Sequence, residues 1–451
     1  MTSDMKGVPD LGALEFVDLT EHALDSHRPV IGDEVDEIRA LAAPLRGARV
    51  LHINSTAFGG GVAEILHTLV PLQNDLGIHS RWQVLQGAED FFAVTKAMHN
   101  LLQGAEIPWT PRMRDTWLRY QEANARLLDP RDYDFVWIHD PQPLGILRRL
   151  EEKGLRHGAW IWRCHIDLSD ARQDVWRFIR DYVAPYDAAV FTMPQYVRDG
   201  LDGHGPDVQI AAPAIDPLSD KNRRLSPSYI RSVLLRHGVD PDRPYILQVS
   251  RFDPWKDPLG VIDTYRLVKK EIPQIQLVMA ATLAHDDPEG WLYFDRTARK
   301  AGDDQDIRLV NGNVSYEVNA LQRAASVVLQ LSTREGFGLV VTEALWKARP
   351  MVARGSGGIP LQVLDGQTGH IVDSVEDAAR STFEILTDPK GARALGSRAR
   401  EHVRQNFLIT RYLRDHLNVM QAVAASPGRN GHSGPAPAFN RAARVRRTTR
   451  R

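Results

Sequence analysis

The chain is nearly free of cysteine: Cys164 is the one such residue in 451. An internal disulfide and a multi-cysteine metal cage are thereby excluded. Long apolar runs are missing too. No window approaches the roughly 18 uncharged apolar residues of a spanning helix, so no transmembrane segment is expected. The opening MTSDMKGVPDLG has neither the basic nor the apolar region of a secretory signal. Charge of one sign is not in excess, because 56 Lys and Arg stand against 57 Asp and Glu for a net charge of -1. Nucleic acid is therefore not expected as a partner. The GxGxxG and Walker A patterns are absent, which removes the usual dinucleotide and ATP readings. Together these absences fit a reducing, cytoplasmic setting.

What is present is a soluble globular mix, 43% hydrophobic and 25% charged, at a length that calls for two domains. Short apolar runs alternate with helix-like segments. In the first half they are VLHIN at 50–54, SRWQVLQ, FVWIHD at 135–140, AWIWRCH at 159–165 and AAVFT at 188–192. Nearly continuous apolar runs separated by helices predict a parallel sheet covered on both faces. A polar stretch, DPLSDKNRRLSPSYI at 216–230, interrupts the pattern. The second cycle has YILQVSR at 245–251, IQLVMAA at 275–281, IRLVN at 307–311 and VVLQLS at 327–332, with helices predicted around 315–325, 339–348 and 375–387.

The predicted fold class is α/β, with two Rossmann-like domains facing across a cleft. Residues 1–225 form the first domain with an N-terminal extension, and 226–405 form the second. A helix over 406–425 is expected to cross back to the first domain. From Ser426 the sequence holds seven arginines and no acidic residue, which predicts a basic, disordered tail. Ligands of such sheets gather beyond the carboxyl ends of the strands, so polar residues there are the candidates.

Four segments qualify. After VLHIN comes STAFGGGVAE, where Gly59, Gly60 and Gly61 permit close backbone approach and the next helix can aim free N–H groups at an anion or sugar hydroxyl. A plain turn is the alternative. RFDPWKD at 251–257 puts Arg251 and Lys256 around a proline turn after a strand. Two cations there can neutralise a departing diphosphate, unless they only pair with Asp253 and Asp257. STREGFGLVVTEA at 332–344 has Glu335 in a glycine turn and Glu343 in the helix beyond it. Its N–H groups from Gly336 to Val340, Leu339 included, can face a phosphate or sugar. WIWRCHID at 160–167 brings His165 and Asp167 out at a strand end, where a histidine can bind sugar or only satisfy nearby backbone. Cys164 reads as packing.

These residues resemble the retaining GT-B glycosyltransferases of family 4. HINSTAFGGGVAEIL, WRCHIDLS, QVSRFDPWKDPLGVI and STREGFGLVVTEALWKARP are similar, more narrowly, to the trehalose-making subgroup, which joins glucose from a nucleoside diphosphate donor to free glucose. The likeness runs from about residue 15 to about residue 420. It implies that Arg251 and Lys256 hold the donor diphosphate and that Glu343 holds its ribose. Glu335 and the backbone at Gly336, Phe337 and Gly338 would meet the transferred glucose. His165 would lie by the anomeric carbon, Gly60 and Gly61 by the phosphates and acceptor region, and Asn313 by the nucleotide base. The first domain is then the acceptor side and the second the nucleotide-sugar side.

The resemblance also implies glucose and trehalose as the other ligands, a homodimer, and no tightly bound cofactor. Mg2+ is optional to this motif pattern, no DxD site stands beside it, and no metal ligand is assigned. The rivals are a retaining trehalose phosphorylase, a transferase for another acceptor, and a non-catalytic nucleotide-sugar-binding protein. Glu343, as a ribose clamp, tilts the choice towards a nucleotide.

Overall fold

The structure, a computed structural model, describes residues 8–201, 205–281, 288–311 and 315–426. It divides into two compact units. The first takes the described residues up to Pro213 together with those from Ile409 onward, and the second is Ala214–Leu408.

The first unit is built on a seven-stranded sheet. Its strands are β1 (Glu15–Phe16), β2 (Arg49–Asn54), β3 (His79–Val84), β4 (Phe135–His139), β5 (Ala159–Arg163), β6 (Ala188–Phe191) and β7 (Asp207–Ile210), in the order β1-β3-β2-β4-β5-β6-β7. Every neighbouring pair is parallel except β1 with β3. All five residues of β4 are buried, as a strand with helices on both faces requires. The helix Gly61–Asp75 follows β2. The acidic segment near the N-terminus forms the helix Glu34–Ala42, whose Val35 and Ile38 are fully buried.

The second unit has a six-stranded, all-parallel sheet. Its strands are β8 (Tyr245–Val249), β9 (Gln276–Ala281), β10 (Ile307–Asn311), β11 (Val327–Gln330), β12 (Met351–Arg354) and β13 (His370–Val372), in the order β10-β9-β8-β11-β12-β13. Counting from its own first strand, this is the Rossmann order 3-2-1-4-5-6. Helix starts are written plainly in the sequence. Ser226 before Pro227 and Ser374 before Val375 each accept a backbone N–H of the helix they open.

The division between units falls at Pro213/Ala214 and not at 225/226. The polar stretch after 216 is fastened to the second unit by side chains of its helix Ser315–Ala324. Asn319 Nδ2 donates to the carbonyls of Asp220 at 2.9 Å and Arg223 at 2.8 Å, and Arg323 donates to those of Asn222 at 2.6 Å and Arg223 at 2.9 Å. The helix Ile409–Ala425 belongs to the first unit. Its Arg411 donates to the Ala212 carbonyl at 2.6 Å, Arg414 pairs with Glu34 at 3.0 Å, and Gln421 reaches the Leu41 carbonyl at 2.6 Å. Beyond Ser426, the expected basic tail lies outside the described residues.

Strand order determines where polar loops can meet. In the second unit the order reverses between β8 and β11, so the loops after these two strands flank one crevice. In the first unit the reversal lies between β2 and β4, which brings together the glycine turn and Asp140 at the carboxyl ends.

Candidate active site

RFDPWKD is the loop after β8. Pro254–Lys256 form one tight turn whose preceding residue, Asp253, accepts the Lys256 backbone N–H at 3.1 Å. Asp257 takes a left-handed conformation at φ 47° and accepts the Gly260 N–H at 3.0 Å, which starts the helix Pro258–Glu271. Both aspartates are structural caps; of the two salt bridges weighed as the alternative, Asp253 does pair with Arg251, while Lys256 does not turn to Asp257. This leaves Lys256 turned towards the neighbouring loop: its Nζ lies 2.6 Å from Glu335 Oε2, with both side chains mostly buried.

Glu335 sits in the turn after β11, across the reversal of strand order. Lys256 Nζ, Gln330 Nε2 at 3.3 Å and Ser332 Oγ at 3.5 Å all approach its Oε2. The two loops are tied by backbone as well, since Thr333 N–H donates to the Trp255 carbonyl at 2.7 Å. Gly338 has φ 82° and caps the helix Leu339–Trp346 without any side-chain acceptor. A Cβ there would stand 3.1 Å from Glu335 Cγ, so the turn needs glycine both for its conformation and for room beside the acid. The first amides of that helix, at Leu339 and Val340, have no intrahelical partner by construction and point out of its start. Phe337 is buried, its ring 5.6 Å from that of Phe407.

Arg251 stands apart from this pair. Its side chain is 66% exposed and its guanidinium lies 3.2 Å from Asp253. Glu343, one turn into the helix, is almost fully buried. Its Oε2 is 3.5 Å from Gln322 Nε2 and its Oε1 is 3.9 Å from Lys221 Nζ. Buried Lys347 holds the same corner together through Asn222 Oδ1 at 2.9 Å, Gln322 Oε1 at 2.7 Å and the Glu343 carbonyl at 3.1 Å. The polar stretch at 216–230 thus delivers Lys221 to Glu343 and Asn222 to Lys347. Asn313 lies outside the described residues.

In the first unit, Gly59 and Gly60 take φ of 73° and 88° at the start of the helix Gly61–Asp75, again with no side-chain cap. Nothing lies within 4 Å of a Cβ built on either, so conformation rather than crowding requires glycine there. His165 follows β5, with its Nε2 3.2 Å from His139 Nδ1. Its backbone N–H donates to Asp140 Oδ1 at 2.7 Å. Asp167 caps a local turn by accepting from the Ser169 N–H and hydroxyl. Cys164 is buried, and burial pushes its thiol far up, as expected of packing.

Sequence reasoning missed Asp140. It is a non-glycine residue at φ 63°, and burial pushes its carboxyl up to about 6 against the pull of the His165 N–H and Arg163. Its signal was its place just after FVWIH, at the end of a strand beside the reversal. Among the described residues, no group of three His, Cys, Asp or Glu side chains is placed to hold a metal ion, and no helix is long and apolar enough to cross a membrane.

Known proteins resemble this chain in sequence and fold. The trehalose synthase N-terminal domain model matches residues 52–198, and the model of group 1 glycosyl transferases matches residues 235–402. The solved structure of the trehalose-6-phosphate synthase OtsA superposes with a TM-score of 0.67 at 15% identity, covering 83% of this chain and 99% of that one. Two Rossmann-like units of this kind, with a group 1 match over the second, define a glycosyltransferase of the GT-B class. The trehalose synthase of Rubrobacter xylanophilus is 50% identical over 413 residues, covering 90% of this chain and 98% of that protein. The trehalose synthase of Thermococcus litoralis is 48% identical over 404 residues, covering 88% and 97%. The chain belongs to the trehalose synthase family, glycosyltransferases of trehalose metabolism.

Proposed function

We propose that the protein is a retaining glycosyltransferase that makes trehalose from a nucleoside diphosphate glucose and free glucose. The observation that carries this reading is the Lys256–Glu335 pair, 2.6 Å apart at the strand-order reversal and beside an uncapped helix start. A cation and a row of amides suit a diphosphate, and a carboxylate next to them suits the hydroxyls of the sugar that the diphosphate carries.

On this reading Lys256 and Arg251 neutralise the diphosphate, with Arg251 swinging in from its exposed position. Glu335 and the backbone of Gly336, Phe337 and Gly338 hold the glucose, while the amides of Leu339 and Val340 face phosphate oxygen. Glu343 binds the ribose diol, with Lys221 as its neighbour. In the first unit His165 contacts sugar, and Gly60 and Gly61 let ligand approach the backbone. A hydroxyl oxygen of the acceptor glucose attacks the anomeric carbon as the bond to the diphosphate oxygen breaks. The hydroxyl proton passes to that departing oxygen on the same face, which keeps the α configuration. Positioning and charge stabilisation supply the catalysis, without the paired carboxylates of a retaining glycosidase. The family resemblance adds a homodimer in the cytoplasm, with Mg2+ as an optional aid.

The test is a panel of nucleoside diphosphate glucoses with glucose as acceptor and the products identified. Trehalose and free nucleoside diphosphate are the expected products. Turnover of trehalose with inorganic phosphate, and none with any nucleotide donor, would replace the reading with a phosphorylase. Donor binding without turnover would make the protein a sensor.

A further inference from the structure

Four histidines gather in the first unit, three of them buried and His165 partly so. His52 lies on β2, His139 ends β4, His165 follows β5, and His416 sits on the helix Ile409–Ala425. Three of them form one line of hydrogen bonds that starts at Gln73. Gln73 Oε1 is 3.0 Å from His52 Nε2, His52 Nδ1 is 3.0 Å from His139 Nε2, and His139 Nδ1 is 3.2 Å from His165 Nε2. The rings are stacked, with centroids 5.3 Å apart for His52 and His139 and 5.5 Å for His139 and His165. His416 stacks on Trp137 at 3.9 Å and stays outside the line.

Burial lowers the pKa of His52 to about 4 and holds His139 and His165 well below the ordinary imidazole value. Each ring is therefore neutral at pH 7 and carries a single N–H. In a line of such rings, one that accepts at one nitrogen must donate from the other, so all N–H groups point the same way. The end group selects the direction. Gln73 turns its amide oxygen to His52 and takes the Ser80 hydroxyl on the same oxygen at 2.7 Å, while its Nε2 has no partner among the described residues. An amide oxygen only accepts. With that oxygen towards His52, His52 carries its proton on Nε2 and accepts at Nδ1 from His139, which in turn accepts at Nδ1 from the Nε2–H of His165; an amide turned the other way would reverse every proton in the line. The first arrangement leaves His165 Nδ1 as a lone pair, and that nitrogen makes no hydrogen bond among the described residues.

We propose that Gln73 presents its amide oxygen to His52 and that Gln73, His52 and His139 are thereby positioning residues that lock His165 in the Nε2–H tautomer, so that its Nδ1 accepts a hydrogen bond from a hydroxyl of the bound sugar. The sugar half of this inference rests on the reading of His165 given above; the tautomer does not. Recognition of this polarity demands a hydroxyl that can donate. Fluorine at the same sugar position can only accept, and the site refuses it.

The experiment uses full-length protein labelled with 15N-histidine, without ligand. Long-range 1H–15N correlations report which ring nitrogen is protonated, and single His→Gln variants assign the rings. All three rings are expected as Nε2–H. A proton on His165 Nδ1, or one shared between its two nitrogens, overturns the lock. Gln73→Glu keeps an acceptor at the end of the line and should preserve the tautomer and most of the transfer rate. Gln73→Leu should let His165 populate both forms and lower transfer about tenfold, by analogy with the loss seen when the partner that orients a metal-ligating histidine is removed. Should Gln73→Leu fail to fold, His139→Gln interrupts the line next to His165 and is read in the same way; an unchanged His165 tautomer in either variant overturns the proposal. Donors with one glucose hydroxyl replaced by fluorine then test the sugar half. Wild type should reject one of them at least tenfold, and Gln73→Leu should narrow that gap. A locked tautomer with no fluorine discrimination would sink the sugar contact and leave the lock standing.

Discussion

Lys256 and Glu335 lie 79 positions apart in the sequence and 2.6 Å apart in space. The short separation follows from strand order, since β8 and β11 are neighbours in the sheet although two other strands come between them in the chain. The ion pair is mostly buried and lies beside the uncapped start of the helix Leu339–Trp346.

Lys256→Ala should lower transfer roughly tenfold or more through the loss of one charge-stabilising contact to the leaving diphosphate. The check is the initial rate at limiting donor. An unchanged rate would remove Lys256 from the diphosphate site.

Glu335→Gln should leave the fold intact and reduce transfer, because a neutral amide grips sugar hydroxyls less firmly and no longer holds Lys256. Combined with Lys256→Ala, the loss should be smaller than the sum of the two single effects, as for groups that act as a unit. Strictly additive losses in kcat/KM would mean that the two side chains work independently.

Gly338→Ala should destabilise the second unit by roughly 1–2 kcal/mol, the cost of a left-handed conformation for a residue with a Cβ. The new methyl would also press on Glu335, so transfer should fall along with the melting temperature. A variant with wild-type melting and wild-type rate would show that the turn tolerates a side chain.

Stability should fall on mild acidification. Burial depresses the pKa of His52 from 6.5 to about 4, and those of His139, His165 and His416 in the same direction. A depressed histidine stabilises fully above its unfolded value and loses that contribution as pH falls towards its folded value. For His52 this amounts to ~3 kcal/mol between about pH 6.5 and 4. Asp140 acts oppositely: its carboxyl is raised to about 6, so its contribution is present at low pH and lost as pH rises through 6. The histidines outnumber it, so thermal melts from pH 7.5 to 4.5 should show a falling midpoint. A flat profile would mean that the buried rings are not held neutral.

Much of the fold was legible because apolar runs mark buried parallel strands. IRLVN at 307–311 is a strand over those residues, and FVWIHD at 135–140 is one up to His139. The strands that escaped notice are short or partly exposed, such as DVQI at 207–210 and HIV at 370–372, where neither length nor periodicity separates strand from loop. For the same reason YILQVSR was read two residues too long: its last two residues leave the sheet to begin the turn. The polar stretch after 216 only interrupted the pattern in the sequence, because its anchors, Asn319 and Arg323, lie about a hundred residues further on. Motif resemblance pointed to Lys256 and Glu335, but not to Asp140, Gln73 or His139. Their surroundings come from adjacent strands, and no spacing along one segment encodes them.

The helix Ile409–Ala425 has a consequence for how the molecule is made. A nascent chain leaves the ribosome with its N-terminal half still lacking Tyr412, whose hydroxyl accepts from buried Arg163 at 3.0 Å, and His416, which covers Trp137. The second unit is continuous in sequence and has all its parts once Leu408 has emerged. Domains generally fold as units during synthesis, so the half translated first is completed last. Premature termination before residue 409 therefore harms the beginning of the protein rather than its end.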